Sequence, residues 1–165
     1  MNIQELKIEA LVEIDRHRNE IVELGRSVFH EPEEGFCEHR TARKVEAFFQ
    51  DWSIRTVTGL AITGVKGYLE GVEEGPCVAI LAEMDALFNP DHPKADPQTG
   101  LVHACGHFAQ VASLIGAGFG LKKIMANLPG KVVLFAVPAE EFIHLEFRQN
   151  LKERGEIEFF GGKQE

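Results

Sequence analysis

CVAILAEMD, residues 77–85, is a short apolar run that stops at two acids separated by a methionine. A run of this length without alternation predicts a strand covered on both faces. A second run, KVVLFAV (131–137), ends at Pro138 and leads through Ala139 to the adjacent acids Glu140 and Glu141. Between the two runs, residues 108–128 carry small side chains at Ala109, Ala112, Gly116, Ala117, Gly118 and Gly120. They predict a buried helix that another element approaches closely. Lys122 and Lys123 near its end suit the helix dipole, and Pro129-Gly130 stops it. Strand, helix, strand predicts an α/β fold with a mostly parallel sheet flanked by helices.

Upstream, Ile3, Leu6, Ile8, Leu11, Ile14, Ile21, Leu24 and Val28 recur mostly at spacings of three or four, which predicts one long amphipathic helix over residues 3–29. HEPEEGF (30–36) breaks it. Residues 41–52 predict another helix, residues 53–57 a short strand, and residues 64–70 an alternating strand bounded by glycines. FNPDHPKADPQTG (88–100) predicts a surface loop, because of its three prolines. Residues 142–153 predict a helix, and Gly161-Gly162 followed by Lys-Gln-Glu looks like the opening of another. There is no internal repeat or low-complexity segment.

The chain has 165 residues, enough for one domain with a real core. Its net charge of −9, from 26 acids against 17 bases, argues against a general nucleic-acid binder, which needs a basic face. No apolar run is long enough to span a bilayer, and MNIQELKIEALVEIDRHR is too charged for a signal peptide. The expected compartment is the cytoplasm, with no nucleic-acid or membrane partner. Cys37, Cys77 and Cys105 share no regular spacing and read as free thiols or ligands.

Three clusters are placed to meet beyond the carboxyl ends of the strands, where open α/β sheets bind ligands. They are Glu83 with Asp85, the stretch HACGH (103–107), and Glu140 with Glu141. In an extended turn, Cys105 and His107 share a side, and Gly106 between them permits unusual backbone angles. Thiolate and imidazole suit zinc and similar divalent metals. The residues alone leave three readings of HACGH open: a metal site, a Cys105 nucleophile with a histidine base, and an ordinary packed turn. Glu140 and Glu141 directly follow a buried strand, so a solvated surface pair is the less natural reading. Pointing opposite ways, they can take different tasks, one as ligand and one as base on a water. Glu83 and Asp85, two apart, share a face as a ligand or as carboxylates that hold a histidine ring.

AEMDALF (82–88), HACGH and VPAEE (137–141), in this order and spacing, resemble the metallopeptidase family of aminoacylases, hippurate hydrolases and dimetal carboxypeptidases. The nearest branch is that of the amidohydrolases that cleave N-acyl amino acids, including indole-acetyl-amino-acid and aminobenzoyl-glutamate hydrolases. FHEPEEGFCEHRTARKV (29–45) and TGVKGYLEG (63–71) resemble that branch's N-terminal segment. The resemblance implies part of the catalytic domain of a dimetal-hydrolase, aminopeptidase-like fold. It implies Cys105, His107 and Glu141 as metal ligands, Glu140 as the general base and Asp85 as the carboxylate that orients the site, with His103 behind them. It implies two divalent ions (zinc, manganese, cobalt or nickel) and hydrolysis of the amide bond of a small N-acyl amino acid or peptide-like substrate. Phe108 stands where the family often has a polar residue, which removes a hydrogen-bond partner near the metals.

Members of that family are longer. They carry a downstream histidine ligand, a lid or dimerisation domain and a final histidine ligand, and His144 is too close to Glu141 to replace either histidine. The resemblance therefore makes residues 1–165 the N-terminal portion of the catalytic domain, truncated at the C-terminus, with the lid domain absent and activity impaired. Missing strands would leave exposed apolar edges and a tendency to self-associate. The competing expectations are a non-catalytic remnant that folds and associates with a partner, and a thiol enzyme built on Cys105.

Overall fold

The structure, a computed structural model, describes residues 1–164. Helix α1 (Ile3–Arg16) opens on a capping box: the Asn2 side chain accepts the Gln4 and Glu5 N–H groups at 3.0 Å, and the Glu5 carboxylate accepts the Asn2 N–H at 2.8 Å. The single helix expected over residues 3–29 is instead two, because α2 (Arg18–Phe29) begins after a break at His17. The His17 ring stacks on Phe119 at 3.9 Å and meets Trp52 edge-on at 4.8 Å. Holding the ring in that aromatic pocket takes the His17 backbone out of helical geometry, to φ −98° and ψ 13°.

Helix α3 (His39–Asp51) leads into strands β1 (Arg55–Leu60) and β2 (Gly64–Glu70), then β3 (Cys77–Glu83). Two short strands, β4 (Leu87–Phe88) and β5 (Leu101–Val102), pair across the base of the proline-rich loop. Helix α4 (His107–Ile124) ends in a 3-10 turn (Met125–Asn127), followed by β6 (Lys131–Val137) and α5 (Leu145–Glu153). Residues 161–164 form a turn in which the Gln164 N–H reaches the Gly161 carbonyl at 2.9 Å, and no helix opens there among the described residues. Glu165, the last residue of that expected helix, lies outside them.

The main sheet runs β1-β2-β6-β3. The α/β class holds, with helices packed on the sheet, but the expected parallel character is confined to one pairing. β3 is parallel to β6, whereas β1–β2 and β2–β6 are antiparallel. The reversal is made by Ala61 and Ile62, whose φ values of 46° and 71° turn β1 tightly back into β2.

The burial expected for CVAILA also needs correction. β3 lies at the sheet edge, and Val78 and Leu81 are about half exposed, at 53% and 48%. The other apolar run, KVVLFAV, takes an internal position as β6, between β2 and β3. An apolar run records that a strand can be buried on both faces; it does not record its place in the sheet.

Helices α3 and α4 pack side by side on one face of the sheet, and α1 and α2 pack against α4. The core joins Val65, Leu69, Ala82, Leu134 and Ala136 of the sheet to Val45, Phe49, Val111, Ile115 and Phe119 of the helices. The small residues of α4 permit this approach as expected: a Cβ on Gly120 would lie 3.0 Å from the Ala10 carbonyl oxygen of α1. Because β3 and β6 are parallel, with Glu83 opposite Val137, both acidic segments leave the sheet at the same end.

Candidate metal centre

The HACGH turn crosses that end of the sheet. Gly106 stands at φ +90° immediately before α4, so His107 is the first helical residue and its ring turns back over the strand ends. The His107 Nδ1 lies 2.7 Å from the Asp85 carbonyl oxygen and 3.3 Å from the Asp85 carboxylate. With Nδ1 so engaged, Nε2 faces Glu83 at 3.0 Å and Glu140 and Glu141 at 3.9 Å each. Burial opposes charge on this imidazole, but the hydrogen bonds to Asp85 and the charges of Asp85 and Glu83 prevail and push it up to about 9.

Asp85 is fully buried, and its Oδ2 accepts the Glu141 N–H at 2.8 Å. It thus holds the fourth residue past the KVVLFAV strand as well as the ring of His107. Glu140 and Glu141 were expected to point opposite ways. They approach the same nitrogen because Ala139, at φ +54°, bends the chain just before them. Burial, followed by the charges of Glu83 and Glu141, raises the Glu140 carboxyl above its usual range.

Cys105 is exposed and interacts with Glu141. That hydrogen bond, then partial burial and the surrounding carboxylates, push its thiol up to about 11. A thiol nucleophile needs the opposite setting, with a nearby cation that favours thiolate. His107, two residues on, has both nitrogens turned to oxygen acceptors. His103 is buried, and neither of its ring nitrogens has a hydrogen-bond partner among the described residues. Burial, then the His107 charge, lower it to about 4, which makes it a neutral ring behind the site.

Glu83, by its place at the strand end a ligand or a ring-holding carboxylate, stands outside the ligand set that the resemblance implies. Its backbone N–H donates to the Gln110 side chain, whose amide donates back to the Glu83 carboxylate, each at 3.0 Å. Lys163 also pairs with Glu83. Burial opposes its ionisation, yet these donors keep it below the usual carboxylate range. Donor atoms of Glu83, His107 and Glu140 all lie within 4.8 Å of one another. An imidazole with one nitrogen fixed by a carbonyl and the Glu83 and Glu140 carboxylates fit a divalent cation, the fixed tautomer leaving Nε2 to bind, while Cys105 and Glu141 stand outside this close group. The position of Glu83 at the strand end could have added it to the set. Nothing in the local pattern pointed to Gln110 or Lys163.

Residues 79–160 match the family model described as Peptidase family M20/M25/M40. The chain is 32% identical over 145 residues to a Bacillus subtilis (strain 168) protein named as an amidohydrolase, YhaA, covering 86% of this chain and 37% of that one. It is 36% identical over 124 residues to IAA-amino acid hydrolase ILR1-like 4 of Arabidopsis thaliana, covering 73% and 28%. The solved structure of the Bacillus subtilis YXEP protein, described as a dinuclear metal binding peptidase from the M20 family, superposes with a TM-score of 0.69 at 30% identity. That match covers 86% of this chain and 40% of the other. The chain thus spans well under half the length of these relatives.

Proposed function

The chain belongs to peptidase family M20/M25/M40, and on that premise we propose that it supplies the N-terminal portion of the catalytic domain of a cytoplasmic metal-dependent amidohydrolase acting on N-acyl amino acids or small peptide-like substrates. One observation carries the reading. His107 is fixed by Asp85 through Nδ1 and presents Nε2 to Glu83, Glu140 and Glu141.

In this reading Cys105, His107 and Glu141 hold divalent ions such as zinc, manganese, cobalt or nickel, with Glu83 a further carboxylate in reach. Bound ions supply Lewis acidity toward the amide carbonyl and lower the pKa of water. Glu140 is the general base. Its raised carboxyl is better matched to accepting a proton from the attacking water and delivering it to the leaving amine nitrogen than an ordinary glutamate. Asp85 keeps His107 in one tautomer and Glu141 in place. His103 fills the space behind the ring without a charge.

A second reading, a fragment that folds and associates without hydrolysing anything, is favoured by the open, apolar edge of β3. Metal stoichiometry separates the two. The purified chain is equilibrated with Mn²⁺ or Zn²⁺ and compared with Cys105→Ala. The hydrolase reading expects binding that Cys105→Ala weakens. It also expects any hydrolysis of N-acetyl amino acids to be abolished by Glu140→Gln with metal retained. A folded chain that binds neither ion would rule it out.

A further inference from the structure

Glu38 has no task in the chemistry above, yet it is fully buried (0% exposed). It lies just before α3. One carboxylate oxygen accepts the Ala139 N–H at 2.7 Å, and the other meets the Thr63 hydroxyl at 2.5 Å. Burying a carboxyl is expensive, and the group is retained here with partners far away in the sequence.

The N-terminal segment that carries Glu38 touches both loops of the site. The Glu33 carbonyl accepts the Ala86 N–H at 2.7 Å, next to Asp85. The Glu33 carboxylate in turn accepts the Arg40 and Thr41 N–H groups at 2.9 Å, which anchors the start of α3. At Gly35 the segment passes so close to the other loop that a Cβ would lie 2.8 Å from the Ala139 Cα. Ala139 is itself fully buried and left-handed, a conformation an L-residue keeps only when its surroundings enforce it.

We propose that Glu38 is a positioning residue: its carboxyl group fixes the left-handed bend at Ala139 and so sets Glu140 and Glu141 against His107. The inference rests on the metal-site reading of those residues. The division of labour is even-handed. Glu38 takes the N–H at the start of the Ala139–Glu141 segment, Asp85 takes the N–H at its end, and Arg148 donates to the Ala139 carbonyl at 3.4 Å and to the Glu141 carbonyl.

The test is calorimetric titration of the chain with Mn²⁺ alone, with circular dichroism as the check on folding. Glu38→Gln keeps an oxygen for the Ala139 N–H and is expected to stay within about threefold of the unmodified affinity. Glu38→Met keeps the volume but removes the acceptor, and is expected to weaken binding by about tenfold or more, as for other groups that orient a metal ligand. Val45→Ala, a core change away from the site, is expected to leave affinity unchanged, which a general loss of stability would not separate from Glu38→Met otherwise. A folded Glu38→Met chain that binds Mn²⁺ as well as the unmodified one overturns the proposal and leaves the metal site standing. If Glu38→Met does not fold, Thr63→Val decides: a loss of several-fold supports the proposal and no change overturns it. An unmodified chain that binds no Mn²⁺ overturns both the proposal and the reading beneath it.

Discussion

Asp85 and His107 are joined at two points: the His107 Nδ1 is 2.7 Å from the Asp85 carbonyl oxygen and 3.3 Å from its carboxylate. The backbone contact selects the tautomer and the carboxylate reinforces it. The same carboxylate takes the Glu141 N–H, so one buried side chain connects a helix start to a strand exit. Asp85→Ala removes the carboxylate from both partners but keeps the carbonyl. It is expected to destabilise the fold by about 1–3 kcal/mol, the cost of a stranded buried donor, in urea titrations. Mn²⁺ affinity is expected to fall by about 10–100-fold. Asp85→Asn retains an acceptor for Glu141 and is expected to lose less of both. Equal losses in the two variants would count against the connection.

Glu38 gives the fold a pH dependence of definite sign. Burial, with the Asp85 charge adding to it, raises this carboxyl to about 8 despite the hydrogen bonds from Thr63 and Ala139. In the unfolded chain it titrates near its ordinary value of 4.5. Between those values the folded state binds the extra proton, so the Glu38 contribution is fully present below the unfolded value and is lost as pH rises through about 8. The loss approaches about 1.4 kcal/mol per pH unit within the window. Glu38→Gln has no proton to lose, so its stability, from urea titrations between pH 5 and 8, should fall less steeply with pH than that of the parent. Parallel curves would show that Glu38 does not titrate in this way.

The edge of β3 should govern association. Val78 and Leu81 are exposed on an edge strand, and a strand edge with apolar side chains is a template for another chain. Light scattering at increasing concentration is expected to report oligomers for the unmodified chain, and Leu81→Lys is expected to shift them toward monomer. An unmodified chain that stays monomeric at every concentration would remove the edge as an explanation.

The candidate site residues stand out in the sequence more clearly than the frame that carries them, although Glu83 and Glu140, and not Cys105 and Glu141, form the close donor group with His107. Asp85, Cys105, His107, Glu140 and Glu141 stand out because their residue types and order are distinctive, and the fold brings them to one end of the sheet. Glu38 was not legible, because its partners Thr63 and Ala139 are 25 and 101 residues away and its local pattern is that of an ordinary charged loop. The break at His17 was hidden for a related reason: no proline or glycine marks it, and its cause is an aromatic pocket completed by Phe119 and Trp52. Strand order and direction escaped because an apolar run carries no record of which neighbour it will pair with.

Two glycines of α4 test how closely the helices approach. In a helix interior, replacing glycine with alanine gains about 1 kcal/mol from backbone entropy alone. At Gly116 the nearest atom to an added Cβ is the Ile21 Cδ1 at 3.4 Å, an ordinary contact with the end of a side chain. Gly116→Ala is therefore expected to stabilise by up to about 1 kcal/mol. At Gly120 the added Cβ would stand 3.0 Å from both the Ala10 carbonyl oxygen and the Ile14 Cδ1, and the oxygen belongs to the α1 backbone, which cannot rotate away. Overpacking of this kind typically costs about 1–3 kcal/mol, enough to exceed the propensity gain. The two substitutions, four residues apart on one helix, are expected to shift the urea midpoint in opposite directions. A stabilising Gly120→Ala would mean that α1 does not pack on α4 at this distance.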